Sequence, residues 1–234
     1  MEKTSPQKTV LLIGASRGLG FAMAAEYLRR GWRVIATARA ASTDQLRRMA
    51  KNLDAALEVE TVDITIPAQV AALRARLGDR RMDVLFVNAG VKNDDRETIA
   101  DVSTEEFVRV MVTNSLSPMR VIEALQDLVQ PTGTIGVMSS GQGSLTNNTN
   151  GKFEVYRGSK AALNMFMRSF AARHANDTRT LLLMAPGWVR TDMGGPEARL
   201  SIEESIPSLL NTMEAYAGRS GLHYLDYLGR VVPW

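Results

Sequence analysis

Short runs of consecutive apolar residues alternate along the chain with segments of helical periodicity. The first run, residues 10–13, ends at Gly14, and helical spacing follows over residues 19–30. Gly31 marks the end of that helix, and residues 34–36 predict a second strand. Continuous apolar runs are typical of strands buried on both faces of a parallel sheet. The chain therefore begins with a β-α-β unit.

The same alternation continues through most of the chain. Further helices are predicted at residues 44–52, 67–77, 104–129 and 156–174, and further strands at residues 57–62, 84–87, 134–138 and 180–184. Strands that alternate with helices over short connections imply a parallel sheet with right-handed crossovers and helices on both faces. The predicted fold class is α/β, a doubly wound sheet in a single domain over residues 1–234, with residues 1–7 as a flexible tail.

Composition and charge narrow the functional classes. The net charge is only +3, and the positive residues are interspersed with acidic ones, which argues against nucleic acid as a partner. No apolar run approaches the ~20 residues that cross a bilayer, and the first residues are polar, so we expect a cytoplasmic protein without a membrane partner. The absence of cysteine excludes disulfides and thiolate ligands, His174 and His223 lie far apart, and we predict no metal.

A glycine-rich loop joins the first strand to the first helix, with Gly14, Gly18 and Gly20 at close spacing. Glycines permit a tight turn and close backbone approach, and a helix N-terminus presents free N–H groups to a phosphate. The glycines would otherwise only let the helix pack on the strand. The position of the loop after a buried strand, inside a β-α-β unit, favours dinucleotide binding.

Two arginines indicate which dinucleotide is bound. NAD-binding units usually place an acid about 20 residues beyond the loop, whereas NADP-binding units place an arginine near that position. Here Arg17 lies inside the loop and Arg39 ends the second strand. Both can reach a 2′-phosphate, which predicts NADP(H) rather than NAD. The alternative is that both are solvated surface charges.

Tyr156 and Lys160 lie four residues apart at the start of a predicted helix, so their side chains share a face. A phenol has a pKa near 10, and a nearby ammonium favours the phenolate. The pair therefore predicts a tyrosine general acid or base whose pKa is lowered by the lysine. The alternative is a partly buried tyrosine beside a lysine that faces solvent.

These features together resemble the classical short-chain dehydrogenase/reductase family, which has a Rossmann fold. The motifs that carry the resemblance are the glycine loop, Asn88-Ala89-Gly90, Ser139-Ser140, Tyr156 with Lys160, and Pro186-Gly187. Within the family the chain looks most like the C-factor/sniffer branch. The resemblance implies that Tyr156 transfers the proton, that Lys160 lowers its pKa and holds the nicotinamide ribose, that Ser140 binds the substrate carbonyl, and that Asn114 holds a water linking Lys160 to solvent.

The resemblance also implies a cofactor site at the carboxyl edge of the sheet. Its predicted residues are Gly14, Ser16, Arg17, Gly18, Leu19, Gly20, Arg39, Asp63, Ile64, Asn88, Ala89, Gly90, Tyr156, Lys160, Pro186, Gly187, Val189 and Thr191. An alternative explanation for Asp63 and Asn88 is that they simply cap a turn or a strand end.

Three positions depart from the family pattern. Ile13 stands where Thr is common, Val87 replaces the first Asn of Asn-Asn-Ala-Gly, and Tyr156 follows Ser140 by 16 positions, a few more than usual. The loop over residues 141–152 must therefore bulge, and Ser139 stays an alternative catalytic serine.

The predicted function is hydride transfer between NADP(H) and a carbonyl or secondary alcohol. The alternative is an NADP(H)-binding signalling or regulatory protein without physiological turnover. Family resemblance also implies a homodimer or homotetramer associated through the long helices, whose apolar stripes could equally face the sheet. Substrate identity depends on loops over residues 141–152 and 194–211, with Phe153, Trp188 and Met193 as candidate pocket walls or core residues.

Overall fold

The computed structural model describes residues 7–51 and 56–234, in which seven parallel strands form one sheet. The strand order is β3-β2-β1-β4-β5-β6-β7. The strands are β1 (Thr9–Ile13), β2 (Arg33–Ala38), β3 (Leu57–Thr61), β4 (Met82–Val87), β5 (Val129–Met138), β6 (Thr180–Ala185) and β7 (Gly221–Asp226). The order reverses between β1 and β4, which is the point at which such sheets bind ligands beyond their carboxyl ends.

Helices cover both faces of the sheet. They are α1 (Gly18–Arg29), α2 (Asp44–Ala50), α3 (Pro67–Leu77), α4 (Thr104–Met111), α5 (Ser117–Leu125), α6 (Glu154–Arg173) and α7 (Ile202–Tyr216). Leu11 lies in one buried cluster with residues of α3, α5 and α6, and Leu12 lies in the other with residues of α1, α2 and α7. Successive side chains of a strand point to opposite faces, so both faces must be apolar. This arrangement confirms the predicted doubly wound fold.

The prediction of one continuous helix over residues 104–129 is wrong. It is divided into α4, a π-helical turn at Val112–Leu116, α5 and a short 3-10 turn at Gln126–Leu128, and β5 already begins at Val129. Pro131 disfavours helical conformation in the residue before it, while the apolar pattern of residues 128–129 fits a buried strand as well as a helix.

The last helix and strand were absent from the predicted elements. Residues 202–211, expected in a substrate loop, belong to α7, and β7 then pairs in parallel with β6, so that Leu183 lies opposite Tyr224. The start of α7 carries a capping box in which the side chains of Ser201 and Glu204 each accept the other's backbone N–H. That pattern is readable in a sequence and would have located the helix.

Two predicted boundaries fall wholly or partly outside the described residues. The helix predicted over residues 44–52 is observed as α2 up to Ala50, and Asn52 is not described. Of the predicted tail, only Gln7 is described, and its side-chain amide donates to the Gly31 carbonyl at 2.9 Å.

Candidate active site

A cavity of about 930 Å³ opens over the carboxyl ends of the strands. Segments that follow β1 to β6 line it, joined by the first turns of α6 and by residues after β7. All the predicted site residues line this cavity except Gly20 and Asn114, which lie behind its wall. The fold therefore brings together side chains that are far apart in sequence, as the parallel topology predicts.

Two positions of the glycine loop leave no room for a side chain, because neighbouring atoms lie too close to the backbone. Gly14 has a φ of +87°, and a Cβ there would lie 2.8 Å from Ala89. A Cβ on Gly20 would lie 2.2 Å from the Gly14 carbonyl oxygen and 2.5 Å from Nδ2 of Asn88, which itself donates to that oxygen at 2.7 Å. Because α1 begins at Gly18, its free N–H groups lie at the cavity, where a phosphate would be bound.

Both predicted arginines lie at the cavity, where β2 and the glycine loop meet. Arg39 is exposed, and its neighbours Ala38 and Ala40 leave no acid at the exit of β2. Arg17 pairs with Asp192 through Nη1 and Oδ2 at 2.9 Å, and both side chains are more than 70% exposed. An exposed ion pair contributes little free energy, so this contact is readily exchanged for a phosphate.

Asp63 and Ile64 line the cavity at the exit of β3. Asp63 Oδ1 accepts from the backbone N–H of Thr65 at 2.9 Å and from its hydroxyl at 2.6 Å, while the Asp63 N–H donates to Gln69 Oε1 at 2.7 Å. Asp63 therefore caps the turn before α3. The turn itself forms part of the cavity wall, so its capping role is compatible with the predicted contact to the cofactor.

Tyr156 and Lys160 both face the cavity from α6. Phe153 precedes this helix in the left-handed conformation, with a φ of 59°, and Tyr156 lies in the first turn. The Nζ of Lys160 lies 5.8 Å from the centre of the Tyr156 ring and donates to the Met138 carbonyl at 2.9 Å. The helical spacing thus places the pair on one face, as predicted.

Burial dominates the titration of both groups. It raises the pKa of the Tyr156 phenol to about 12, partly opposed by a hydrogen bond with Ser140. Burial also lowers the pKa of Lys160 to about 8. Loss of water disfavours the phenolate, and the lysine ammonium is directed at the Met138 carbonyl, so the lowering of the tyrosine pKa by Lys160 stays a prediction. At neutral pH the phenol is protonated.

The two neighbouring serines have different partners. Ser139 is buried, and its hydroxyl donates to Asn164 Oδ1 at 2.6 Å. Ser140 Oγ accepts from the Gln142 N–H at 3.1 Å, and a hydrogen bond with Ser140 acts to lower the pKa of Tyr156. Both serines line the cavity, but the Ser139 hydroxyl is bonded to Asn164, which favours Ser140 as the partner of the tyrosine.

Asn114 lies in the π-helical turn between α4 and α5 and is fully buried. Its Nδ2 donates to the Val91 carbonyl at 2.7 Å and to Ser159 Oγ at 2.9 Å, and its Oδ1 accepts from the Val91 N–H at 2.8 Å. A Cβ on Gly90 would lie 3.3 Å from Asn114 Oδ1 and 3.4 Å from Lys160 Nζ. Asn114 thus joins the exit of β4 to α6; the water that it was expected to hold stays a prediction.

The segment after β6 is fixed by α7. The Ser205 hydroxyl donates to the Pro186 carbonyl at 2.7 Å, and Gly187 has a φ of +84°. Val189 bridges to Leu200, which folds the segment back across the cavity. Ser205 was not predicted, because it lies on a helix that was not predicted either.

Several large apolar side chains line the cavity. Phe153, Trp188 and Met193 all line it, and Trp188 is 52% exposed, with its ring N–H donating to the Gly194 carbonyl at 2.8 Å. The structure therefore places these candidate walls at the cavity rather than in the core. Tyr227 and Val232, which sequence reasoning missed, join them from the segment after β7.

In residues 7–51 and 56–234, no three His, Asp or Glu side chains are grouped so that they could hold a metal ion. Within the same ranges, no helix combines the length and apolar character needed to cross a membrane.

The switch in strand order, the glycine loop and the exposed N-terminus of α1 define a dinucleotide-binding α/β protein. The family model of the short chain dehydrogenases matches residues 8–199. The chain belongs to this family, which confirms the family predicted from the sequence motifs.

Three similar proteins illustrate the range of the family. A short-chain dehydrogenase/reductase from Burkholderia multivorans with bound NADP is 57% identical, with a TM-score of 0.94, over 98% of this chain and 100% of that one. A carbonyl reductase from Pseudomonas aeruginosa PAO1 in complex with NADP is 35% identical, with a TM-score of 0.90, over 97% and 100%. C-signal of Myxococcus xanthus is 36% identical over 65% of this chain and 93% of its own length, in keeping with the predicted branch.

Proposed function

We propose that the protein is an NADP(H)-dependent oxidoreductase that reduces a carbonyl group to an alcohol. The observation that carries the proposal is the convergence of Tyr156, Lys160 and Ser140 at one cavity that the glycine loop also lines. The carbonyl reductase relative supports the reaction type, and two relatives with bound NADP support the cofactor. A phenol that holds its proton at neutral pH suits a general acid, which is the role that reduction requires.

The residues at the cavity fit NADP(H). The N–H groups at the start of α1 would hold the pyrophosphate, and Arg17 and Arg39 would hold the 2′-phosphate. Lys160 would hold the nicotinamide ribose, and the segment from Pro186 to Thr191 would hold the carboxamide. Asp63 and Ile64 would flank the adenine, and Asn88, Ala89 and Gly90 would form the floor. When bound, the nicotinamide supplies or accepts the hydride.

The side chains of this chain then handle the proton. Tyr156 would donate its phenol proton to the oxygen of the substrate carbonyl, and Ser140 would donate a hydrogen bond to the same oxygen. Lys160, with a pKa of about 8, exchanges protons near neutral pH and would return one to the tyrosine. Asn114 would keep the Gly90 and Val91 backbone in place beside the lysine.

The likeness to C-signal favours a second candidate, a regulatory protein that binds NADP(H) without physiological turnover. A panel of ketones and aldehydes, followed by NADPH absorbance, separates the two. We expect turnover with at least one class of carbonyl. Tight NADPH binding with no turnover across the panel would instead favour the regulator.

The cofactor preference depends on Arg39. Arg39→Ala is expected to lower kcat/KM with NADPH about 10- to 100-fold, since a hydrogen bond to a charged group contributes roughly 1.5–3 kcal/mol. With NADH, which has no 2′-phosphate, kcat/KM should not change. Arg48→Ala is the matched control, because Arg48 is exposed on α2 and does not line the cavity. Equal losses with both cofactors would contradict the assignment.

Association of the chain stays a prediction. Phe107 and Val108 of α4 and Met165 and Phe166 of α6 are exposed apolar side chains, which supports a homo-oligomer joined through these helices. Light scattering on the purified protein measures its mass directly, and a monomer at micromolar concentration would contradict this proposal.

A further inference from the structure

Tyr224 reaches the active site from the edge of the sheet. It lies on β7 and is 3% exposed, and its hydroxyl donates to the backbone carbonyl of Ser140. Ser140 follows β5, so the tyrosine spans the intervening strand β6. The contact is therefore a long-range tie between the last strand and the residue beside Tyr156.

Ser140 is held through its hydroxyl oxygen and its backbone carbonyl. Its backbone is extended, with φ −160° and ψ 147°, and it precedes the 3-10 turn at Gly141–Gly143. Its Oγ accepts from the Gln142 N–H at 3.1 Å, which leaves the O–H free to donate towards the cavity. The carbonyl contact with Tyr224 fixes the peptide from the other side, so the direction of the hydroxyl depends on both contacts.

Tyr224 is itself fixed by a stack of side chains. Its ring centre lies 5.5 Å from that of Trp234, and the Arg168 guanidinium lies 4.9 Å from the Trp234 ring. The Trp234 backbone oxygen accepts from the Thr146 N–H at 3.0 Å and from its hydroxyl at 2.7 Å. The same stack thus holds both Tyr224 and the loop that follows Ser140.

We propose that Tyr224 is a positioning residue for catalysis: its hydroxyl holds the Ser140 peptide so that the serine hydroxyl lies against Tyr156 and the substrate carbonyl. The inference rests on the proposed carbonyl reduction and extends it to a residue outside the Ser, Tyr, Lys and Asn set. Tyr224 acts through Ser140 and does not itself line the cavity.

The test is a double-mutant cycle with Tyr224→Phe and Ser140→Ala. Phe keeps the ring against Trp234 and removes only the hydroxyl, so we expect kcat to fall about 10-fold with the KM for NADPH unchanged, since small displacements of a catalytic group are costly. In the Ser140→Ala background, Tyr224→Phe should cause no further loss, because the hydroxyl that it positions is gone. Tyr216→Phe is the matched control: Tyr216 ends α7, its ring contacts His223, and it does not line the cavity.

The alternatives give different results. An equal loss in both backgrounds, or no loss in either, would overturn the positioning role. Thermal unfolding and NADPH binding show that each variant is folded. If the wild-type protein reduces no carbonyl, the proposed function fails. Crystal structures of the wild-type protein and of Tyr224→Phe then test the positioning role separately. A longer distance between Ser140 Oγ and the Tyr156 hydroxyl in Tyr224→Phe would then support it, and an unchanged distance would reject it.

Discussion

Tyr156→Phe is expected to lower kcat for carbonyl reduction by about 10²- to 10⁴-fold, the usual contribution of a positioned general acid. The substitution removes only the hydroxyl, which holds its proton at neutral pH and contacts Ser140. The proposed pyrophosphate and 2′-phosphate contacts of the cofactor would lie at the glycine loop and Arg39 and would not involve this hydroxyl. NADPH affinity should therefore change little.

The measurement pairs steady-state turnover with an NADPH titration by fluorescence. Tyr216→Phe again controls for loss of a phenol outside the cavity. A Tyr156→Phe protein with near-normal kcat would show that another group donates the proton. A protein that lost cofactor affinity and kcat together would show that the tyrosine acts mainly through binding.

Gly20→Ala is expected to weaken NADPH binding and to destabilise the fold. Its Cβ would lie 2.2 Å from the Gly14 carbonyl oxygen and 2.5 Å from Asn88 Nδ2. Neither neighbour is the end of a freely moving chain, because the Asn88 amide is bonded to that same carbonyl. The loop must therefore shift, and overpacking of this kind typically costs about 1–3 kcal/mol. Chemical denaturation measures the change in the free energy of unfolding.

Gly158→Ala is the matched control for this substitution. Gly158 lies inside α6, is exposed, and a Cβ there meets no atom within 4 Å. Alanine in a helix interior is favoured over glycine by about 0.5–1 kcal/mol, so this variant should be more stable. Destabilisation by Gly158→Ala, or an unchanged NADPH affinity in Gly20→Ala, would contradict the steric reading.

Much of the site was predictable because its residues follow strands whose carboxyl ends meet at one edge of the sheet. The buried strands were visible as apolar runs, and parallel strands necessarily bring their carboxyl ends to one edge. Gly14, Asn88, Ser140 and Pro186 each follow such a strand, so their convergence at one cavity follows from topology. The spacing of Tyr156 and Lys160 is local to one helix and needed no tertiary information.

The sequence by itself determined the family, the alternation of strands and helices, and the residues that meet at the cavity, because these depend on local periodicity and on strand ends. Only the tertiary structure shows that the Ser139 hydroxyl is bonded to Asn164, 25 positions away, whereas Ser140 is bonded to Gln142. It also shows that burial raises the pKa of Tyr156 to about 12 and lowers that of Lys160 to about 8, because desolvation depends on every neighbouring element. The contact of Tyr224 with Ser140 joins residues 84 positions apart and follows from the packing of the sheet edge, which no local pattern records.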